Sequence, residues 1–250
     1  MHAGTSPRSR ALAATEADLA LVAAPDVAGA AALRAGLRAE ASAAGRDPDD
    51  LKVIVPVLPV VAVDRGAARA IVERLLALVP IDDGTAGRTE RVAFPANRSL
   101  DAFLDLAGFP SDDPARSVSV DSGVAAAAVD RFAEPAARVA AFVGRRAGLT
   151  PGEGLTWRHL IAANAVPANF LVGGPADVAD HFERWRDEEA ADGFNVLSAF
   201  QPSQFEAFAQ LAVPELRRRG LIGRSGATLR ERLGLGAPQL AYAPASVLSA

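Results

Sequence analysis

Cysteine is missing from this chain, which rules out disulfides, thiolate metal sites and cysteine nucleophiles. Its absence fits a reducing compartment. Histidine is almost as scarce: His2, His159 and His181 lie far apart, with no carboxylate at ligand spacing, so no metal site is expected. Aromatic residues make up only 6% of the chain. Positive charge is not in excess either. A net charge of −4 and a pI near 5.5 provide no global field for nucleic acid. The longest strongly apolar run, Val53 to Val63, is interrupted by Pro56 and Pro59 and falls short of the roughly 20 residues that span a bilayer. Arg8 and Arg10 stand near the N-terminus, but Glu16 and Asp18 break any hydrophobic region behind them, so the segment reads poorly as a signal peptide. A cytoplasmic location is expected. Neither a Gly-x-Ser-x-Gly elbow nor a Walker loop occurs, and no catalytic residue can be named from motif alone.

What is present is a half-apolar, alanine-rich chain of 250 residues, enough for one large domain or two small ones. Alanine favours helix yet buries little area, so a helix-rich protein with a lean core is expected. Ser6 as N-cap and Pro7 at the first helical position predict a helix over 7–16. Leu19 to Ala23 reads as a brief strand. Val27, Ala30, Leu33, Leu37 and Ala41 recur at helical spacing before Gly45. Leu51 to Val63 reads as a strand buried on both faces, as in parallel sheets. Pro56 and Pro59 each remove a ladder donor, which predicts a bulge or an early end there.

Ala67 to Leu78 is again helical. From Pro80 to Val172 the periodicity becomes irregular, with helix candidates near 100–107, 124–147 and 156–165. An excursion this long between strand and helix units is unusual and is typical of lids or binding loops. Regularity returns at Gly174-Pro175, with Val178, Phe182 and Trp185 on one helical face. A short strand over Phe194–Phe200, a helix through Phe205, Phe208, Ala212 and Leu216, and a short helix from Thr228 to Leu235 follow. This alternation predicts an α/β protein with a parallel sheet and crossover helices. Three clear strands are too few to close a barrel, which needs eight.

Gly4-Thr5-Ser6-Pro7 carries the strongest chemical signal. A helix N-terminus offers unpaired amides and partial positive charge, and the flanking hydroxyls add donors, so phosphate binds there readily. The same residues also describe an ordinary N-cap. Gly173-Gly174-Pro175 is open to the same two readings, with helix capping expected. Trp157 and His159 suit packing or substrate contact. His181, among acidic neighbours, is expected to be solvated, and Trp185 with Phe182 to be core. The Arg217-Arg218-Arg219 run, with Arg224, Arg230 and Arg232, reads as a solvated helix end. The acidic face of 177–192 either pairs with it or maintains solubility.

Several segments carry a resemblance. His2-Ala3-Gly4-Thr5-Ser6-Pro7-Arg8-Ser9-Arg10 followed by Ala17-Asp18-Leu19-Ala20 resembles the segment after the fifth strand of luciferase-like flavin-dependent monooxygenases. The nitrilotriacetate, pristinamycin and dibenzothiophene-sulfone monooxygenase group is the nearest branch. The resemblance continues through Ala44-Gly45-Arg46-Asp47-Pro48-Asp49-Asp50-Leu51, Val172-Gly173-Gly174-Pro175-Ala176-Asp177 and Ala191-Asp192-Gly193-Phe194-Asn195. It closes with Val213-Pro214-Glu215-Leu216 and Thr228-Leu229-Arg230-Glu231-Arg232-Leu233. It is weak between about residues 80 and 165.

The resemblance implies an incomplete (β/α)8 TIM-type barrel, about strands 6–8 plus helices, with a helical insertion after strand 7. Residues 1–79 would hold the phosphate-binding step and strands 6 and 7, and 80–172 the insertion. Residues 173–236 would form the final barrel unit, and 237–250 an irregular tail. It implies cofactor binding by Gly4, Thr5 and Ser6, with Thr5 keeping the hydroxyl of the family's usual serine. The implied activity oxygenates a small organic substrate with dioxygen and reduced FMN supplied by a separate flavin reductase. Because family members carry further strands before this point, an N-terminal half-barrel polypeptide or self-association would be needed. The alternative is a non-catalytic half-barrel remnant or assembly module, and a deazaflavin-using relative shares the same barrel.

Overall fold

The computed structural model describes residues 1–24, 26–82, 99–124, 154–164, 169–222 and 226–236. Among these, five strands form one all-parallel sheet. In chain order the elements are β1 (His2–Ala3), α1 (Pro7–Glu16), β2 (Leu19–Leu21), α2 (Val27–Ala43), β3 (Lys52–Val61) and α3 (Arg65–Ala77). Then come α4 (Leu100–Leu106), α5 (Trp157–Asn164), β4 (Asn169–Gly173), α6 (Pro175–Asp187) and β5 (Gly193–Val196). Last are α7 (Ser203–Ala207), a π-helical turn (Phe208–Ala212), α8 (Val213–Arg218) and α9 (Leu229–Leu233). No helix among the described residues is long and apolar enough to cross a membrane.

β3 is the spine, and its hydrogen bonds correct the expectation about its prolines. The Lys52 N–H donates to the Asp18 carbonyl, Val22 N–H donates to Ile54, and Ala62 N–H donates to Gly173. Even-numbered residues of β3 therefore face first β2 and then β4 along one edge. On the other edge Leu197 N–H donates to the Val57 carbonyl, so odd-numbered residues face β5. Pro56 falls on the even edge, after the β2 ladder ends at Ile54 and where that of β4 takes over. Pro59 falls on the odd edge, beyond the last β5 pair at Val57. Each proline thus sits where no ladder donor is required, and the strand runs unbroken through Val61.

The strand count also needs correction. β1 and β4 join the three expected strands. β1 is too short for periodicity to reveal, and β4 lies at the end of the excursion, inside the 80–172 boundary. β5 is shorter than expected and ends at Val196. The expected helices at 100–107 and 156–165 are α4 and α5; the candidate at 124–147 and the tail 237–250 lie outside the described residues.

One face of the sheet is clad in helices. Val53 and Val55 are fully buried with Ala13 and Ala14 of α1 and Ala30, Leu37 and Ala41 of α2. Val57 and Val61 pack with Val178, Ala179 and Phe182 of α6 and Leu216 of α8. On the opposite face Ile54, Pro56 and Leu58 of β3 and Leu19 and Leu21 of β2 are only half-buried. Val60 packs instead into a third cluster with Val72 and Leu76 of α3, Phe103 of α4, and Trp157, Leu160 and Ile161 of α5. Trp157 makes edge-on contacts with Phe103 and Phe109, at 6.4 and 6.1 Å between ring centres.

Polar clamps fix the helices to the sheet. Arg46 donates to the carbonyls of Ala14 (2.8 Å) and Ala17 (3.0 Å), which caps the C-terminus of α1. Asp192 accepts from the Val53 N–H (2.8 Å) and takes a two-pronged contact from Arg34 (3.2 and 2.9 Å). The hydrogen bond that Arg34 donates to Asp192 raises the Arg34 pKa despite partial burial. Arg230 of α9 reaches Asp18 at 2.8 Å, which brings the C-terminal helix back to the entry of β2.

Candidate functional site

In an all-parallel sheet the C-terminal ends of the strands share one side, where α/β proteins place their ligands. Here that side carries Gly4-Thr5-Ser6 after β1, Ala62–Asp64 after β3, Gly174 after β4 and Leu197–Phe200 after β5. The cluster built from α3, α4 and α5 borders the same side, because it holds Val60 and Val172 and is joined by Ala199 from the loop after β5.

Gly4 has φ +137°, a conformation L side chains rarely adopt, and a Cβ there would lie 2.7 Å from Ser9 Oγ. Its N–H still reaches the Leu21 carbonyl at 3.4 Å, so the chain leaves the sheet abruptly at this residue. Ser6 is the N-cap: its Oγ accepts from the Ser9 N–H at 3.3 Å and donates to Ser9 Oγ at 3.0 Å. Gly4, Thr5 and Ser6 are exposed, and no acidic residue stands in the first turn of the ten-residue α1. Exposed Arg8 makes no ion pair among the described residues, whereas Arg10 is paired with Glu40. The step therefore combines a helix N-terminus, exposed hydroxyls and a glycine whose missing side chain makes room for Ser9. Sequence reasoning missed Ser9, although its place three residues after the cap is the signal for it.

The second glycine step is different. Asp177 Oδ2 accepts the Gly174 N–H at 2.8 Å, and Asp177 also pairs with Arg65. Burial pushes the Asp177 carboxyl up, but Arg65 and the Gly174 N–H together hold it below the usual range. A carboxylate already occupies this helix start, so it is a cap and not an anion site. A Cβ on Gly173 would lie 2.4 Å from that of Asp177, which explains the glycine.

The remaining candidates divide. His159 Nδ1 accepts the Thr156 N–H at 3.1 Å and Trp157 is core, so both serve packing. Arg219 pairs with Asp180 and Glu183 on α6, so the basic run meets the acidic face through this residue. His181 is a correction: it is enclosed by Phe182, Trp185 and Phe194, and its buried Nε2 has no hydrogen-bond partner among the described residues. Desolvation pushes its pKa down to about 4. Gln204, which sequence reasoning also missed, is buried; its side chain accepts from the Val61 N–H at 2.8 Å and donates to the Val61 carbonyl at 3.3 Å. It continues the β5 edge past Pro59 with a side chain in place of a strand.

Similarity to known proteins follows the same segments. The luciferase-like monooxygenase model matches residues 1–192. Nitrilotriacetate monooxygenase component A of Aminobacter aminovorans is 32% identical over 98% of this chain and 50% of its own length. Dibenzothiophene-sulfone monooxygenase of Rhodococcus erythropolis is 30% identical over 98% of this chain and 50% of its own. The crystal structure of DmoA from Hyphomicrobium sulfonivorans superposes with a TM-score of 0.61 at 25% identity, covering 92% of this chain and 44% of that one. The chain thus spans about half the length of the curated relatives it matches. With its parallel sheet and the family model running through β1 to the threshold of β5, this chain belongs to the luciferase-like monooxygenase family.

Proposed function

We propose that this chain is the phosphate-binding half of a two-component, FMN-dependent monooxygenase, its strands forming part of a (β/α)8 barrel. The observation that carries the reading is the β1–α1 step: Gly4 at φ +137° against Ser9, followed by exposed Thr5 and Ser6 at an acid-free helix start. Gly4, Thr5 and Ser6 would hold the flavin phosphate through backbone N–H groups and hydroxyls, and Arg8 would add positive charge. A stabilisation of about 0.3–1 kcal/mol is typical for one anion at such a terminus, so further contacts must supply the rest. When bound, reduced FMN from a separate reductase would provide the electrons that activate dioxygen for insertion into a small organic substrate. The names of the relatives support oxygenation as the reaction class.

Division of the chain into barrel units at 1–79 and 173–236 around an excursion at 80–172 fits the sheet, with β4 as a strand that the excursion contributes. The cluster around Trp157 would then border the substrate, as a lid does, at the C-terminal ends of β3 and β4. Completion by a second half-barrel is part of this proposal, as is action in the cytoplasm.

FMN binding, read by quenching of flavin fluorescence, tests it. Binding by the completed protein that weakens at least tenfold in Gly4→Val and is competed by inorganic phosphate is expected. Absence of flavin binding, alone and with the other half supplied, would leave the non-catalytic assembly module as the better reading.

A further inference from the structure

The segment Ala44-Gly45-Arg46-Asp47-Pro48 lies between α2 and β3, at the opposite end of the sheet from the candidate site. Its backbone explains what it presents. Gly45, at φ +79°, ends α2 in a Schellman turn: its N–H donates to the Ser42 carbonyl and that of Arg46 to the Ala41 carbonyl, each at 3.0 Å. On the other side, the Asp47 carboxylate accepts the Asp49 N–H at 2.8 Å and starts the short turn Pro48–Asp50. Arg46 is thus held between two fixed turns. Its guanidinium crosses to α1 and reaches the carbonyls of Ala13, Ala14 and Ala17 at 3.4, 2.8 and 3.0 Å.

A second arginine crosses the same seam in the opposite direction. Arg10 of α1 passes Gly36 of α2, where a Cβ would stand 3.0 Å from its guanidinium, and pairs with Glu40 one turn further on. Glycine inside a helix is unfavourable, and here it makes room for that side chain. α1 needs such holds because its own packing is slight. Of its ten residues only Ala13 and Ala14 are buried, and alanine contacts cover little area and set no direction. At the start of α1, the Gly4 N–H ties the chain to the Leu21 carbonyl. Loosening the far end therefore swings the helix axis about that tether, and the free N–H groups at the start turn with it.

We infer that Arg46 is a positioning residue for the phosphate step: by gripping the C-terminal carbonyls of α1 it aims the other end of that helix, and Glu40, through Arg10, is the second hold. The inference rests on the phosphate reading of Gly4, Thr5 and Ser6 and adds to it a residue at the far end of a helix about 15 Å long. Charge alone does not account for the arrangement. A lysine at this place would carry the same charge, but only the planar fork of arginine spans carbonyls on either side of the helix end.

Inorganic phosphate is titrated into this chain, and its affinity is read from the amide NMR shifts of Thr5, Ser6 and Arg8. Arg46→Ala should weaken it about fivefold, the upper end of what an exposed helix terminus contributes. Arg46→Lys should recover only part of that loss, and Glu40→Gln should cost about twofold. Residual dipolar couplings of the α1 amides should report a changed helix orientation in Arg46→Ala, while those of α6 and α8 stay as in the parent. Arg219→Ala breaks a comparable clamp between α8 and Asp180 and Glu183 of α6, and should leave phosphate affinity unchanged. Far-UV circular dichroism checks that each variant folds; if Arg46→Ala does not, Arg46→Lys and Glu40→Gln carry the test. Unchanged affinity in Arg46→Ala would overturn the inference and leave the phosphate reading standing. Equal weakening by Arg219→Ala, or full recovery in Arg46→Lys, would do the same. Amides of Thr5, Ser6 and Arg8 that ignore phosphate in the parent would sink the phosphate reading of the step, and the inference with it.

Discussion

Two regions of this molecule are held to the same strand in different ways. The 173–218 region packs on β3 through Val178, Phe182 and Leu216 and is held there by polar pins as well: Asp192 on the Val53 N–H and Gln204 on both backbone groups of Val61. The cluster around α4 and α5 is fastened by aromatic and aliphatic packing, with Trp157 lodged between Phe103 and Phe109. Packing tolerates adjustment in register because it is non-directional, whereas each pin loses its function if the chain shifts by one residue. The pinned region therefore defines strand geometry, and the packed region is free to differ in shape around it.

The largest effect should come from Trp157→Ala, which removes the centre of the packed cluster and should cost about 3–5 kcal/mol locally. Hydrogen exchange should speed up across 99–124 and 154–164 while amides of β3 and β5 stay protected; uniform loss of protection would show that the two regions unfold together. Next, Asp192→Ala leaves Arg34 without its main partner, both side chains being about 15% exposed, and should cost roughly 2–3 kcal/mol in denaturant melts. The cost should add to that of Trp157→Ala if the regions are independent, and a coupling above about 0.5 kcal/mol would refute the separation.

Acid should strike the pinned region first. The folded state holds His181 neutral, with its pKa lowered from 6.5 to about 4. Its contribution is complete above pH 6.5 and is lost as pH falls toward 4, by roughly 3 kcal/mol. Glu215, held at about 2 by Arg218 and Arg219, loses its contribution only below the ordinary carboxylate range, so the two windows separate. Melts of His181→Leu between pH 6.5 and 4.5 should be flatter than those of the parent, and an unchanged slope would show that the imidazole is not the sensor. The smallest effect, about 1–2 kcal/mol, is expected for Gln204→Leu, which leaves the Val61 N–H and carbonyl unpaired. Its signature is faster exchange at the Val61 amide, and an unchanged rate there would mean that water substitutes for the side chain.

Much of this was legible in the sequence because local rules dominate. Ser6-Pro7 marks a helix start, and the β-branched run from Leu51 marks the central strand, although it reads as buried on both faces where Ile54, Pro56 and Leu58 are only half-buried. The prolines misled because a residue's own propensity says nothing of which edge its neighbours leave empty. His181 misled for a related reason: acidic neighbours along the chain suggested water, while Phe194, from the next strand, closes over the ring. At the candidate site, the cap and the glycine were readable, but the closeness of Ser9 that demands the glycine emerges only in the fold.

β4 has a practical consequence for anyone trimming this protein. It comes at the close of the excursion yet pairs with Val57–Val61, so cutting out 80–172 in one piece would delete nearly a whole strand from the middle of the sheet. A viable miniature must rejoin α3 to Asn169 and keep the rung-bearing stretch through Gly173. The excursion and the scaffold share a boundary that no single pair of scissors can follow.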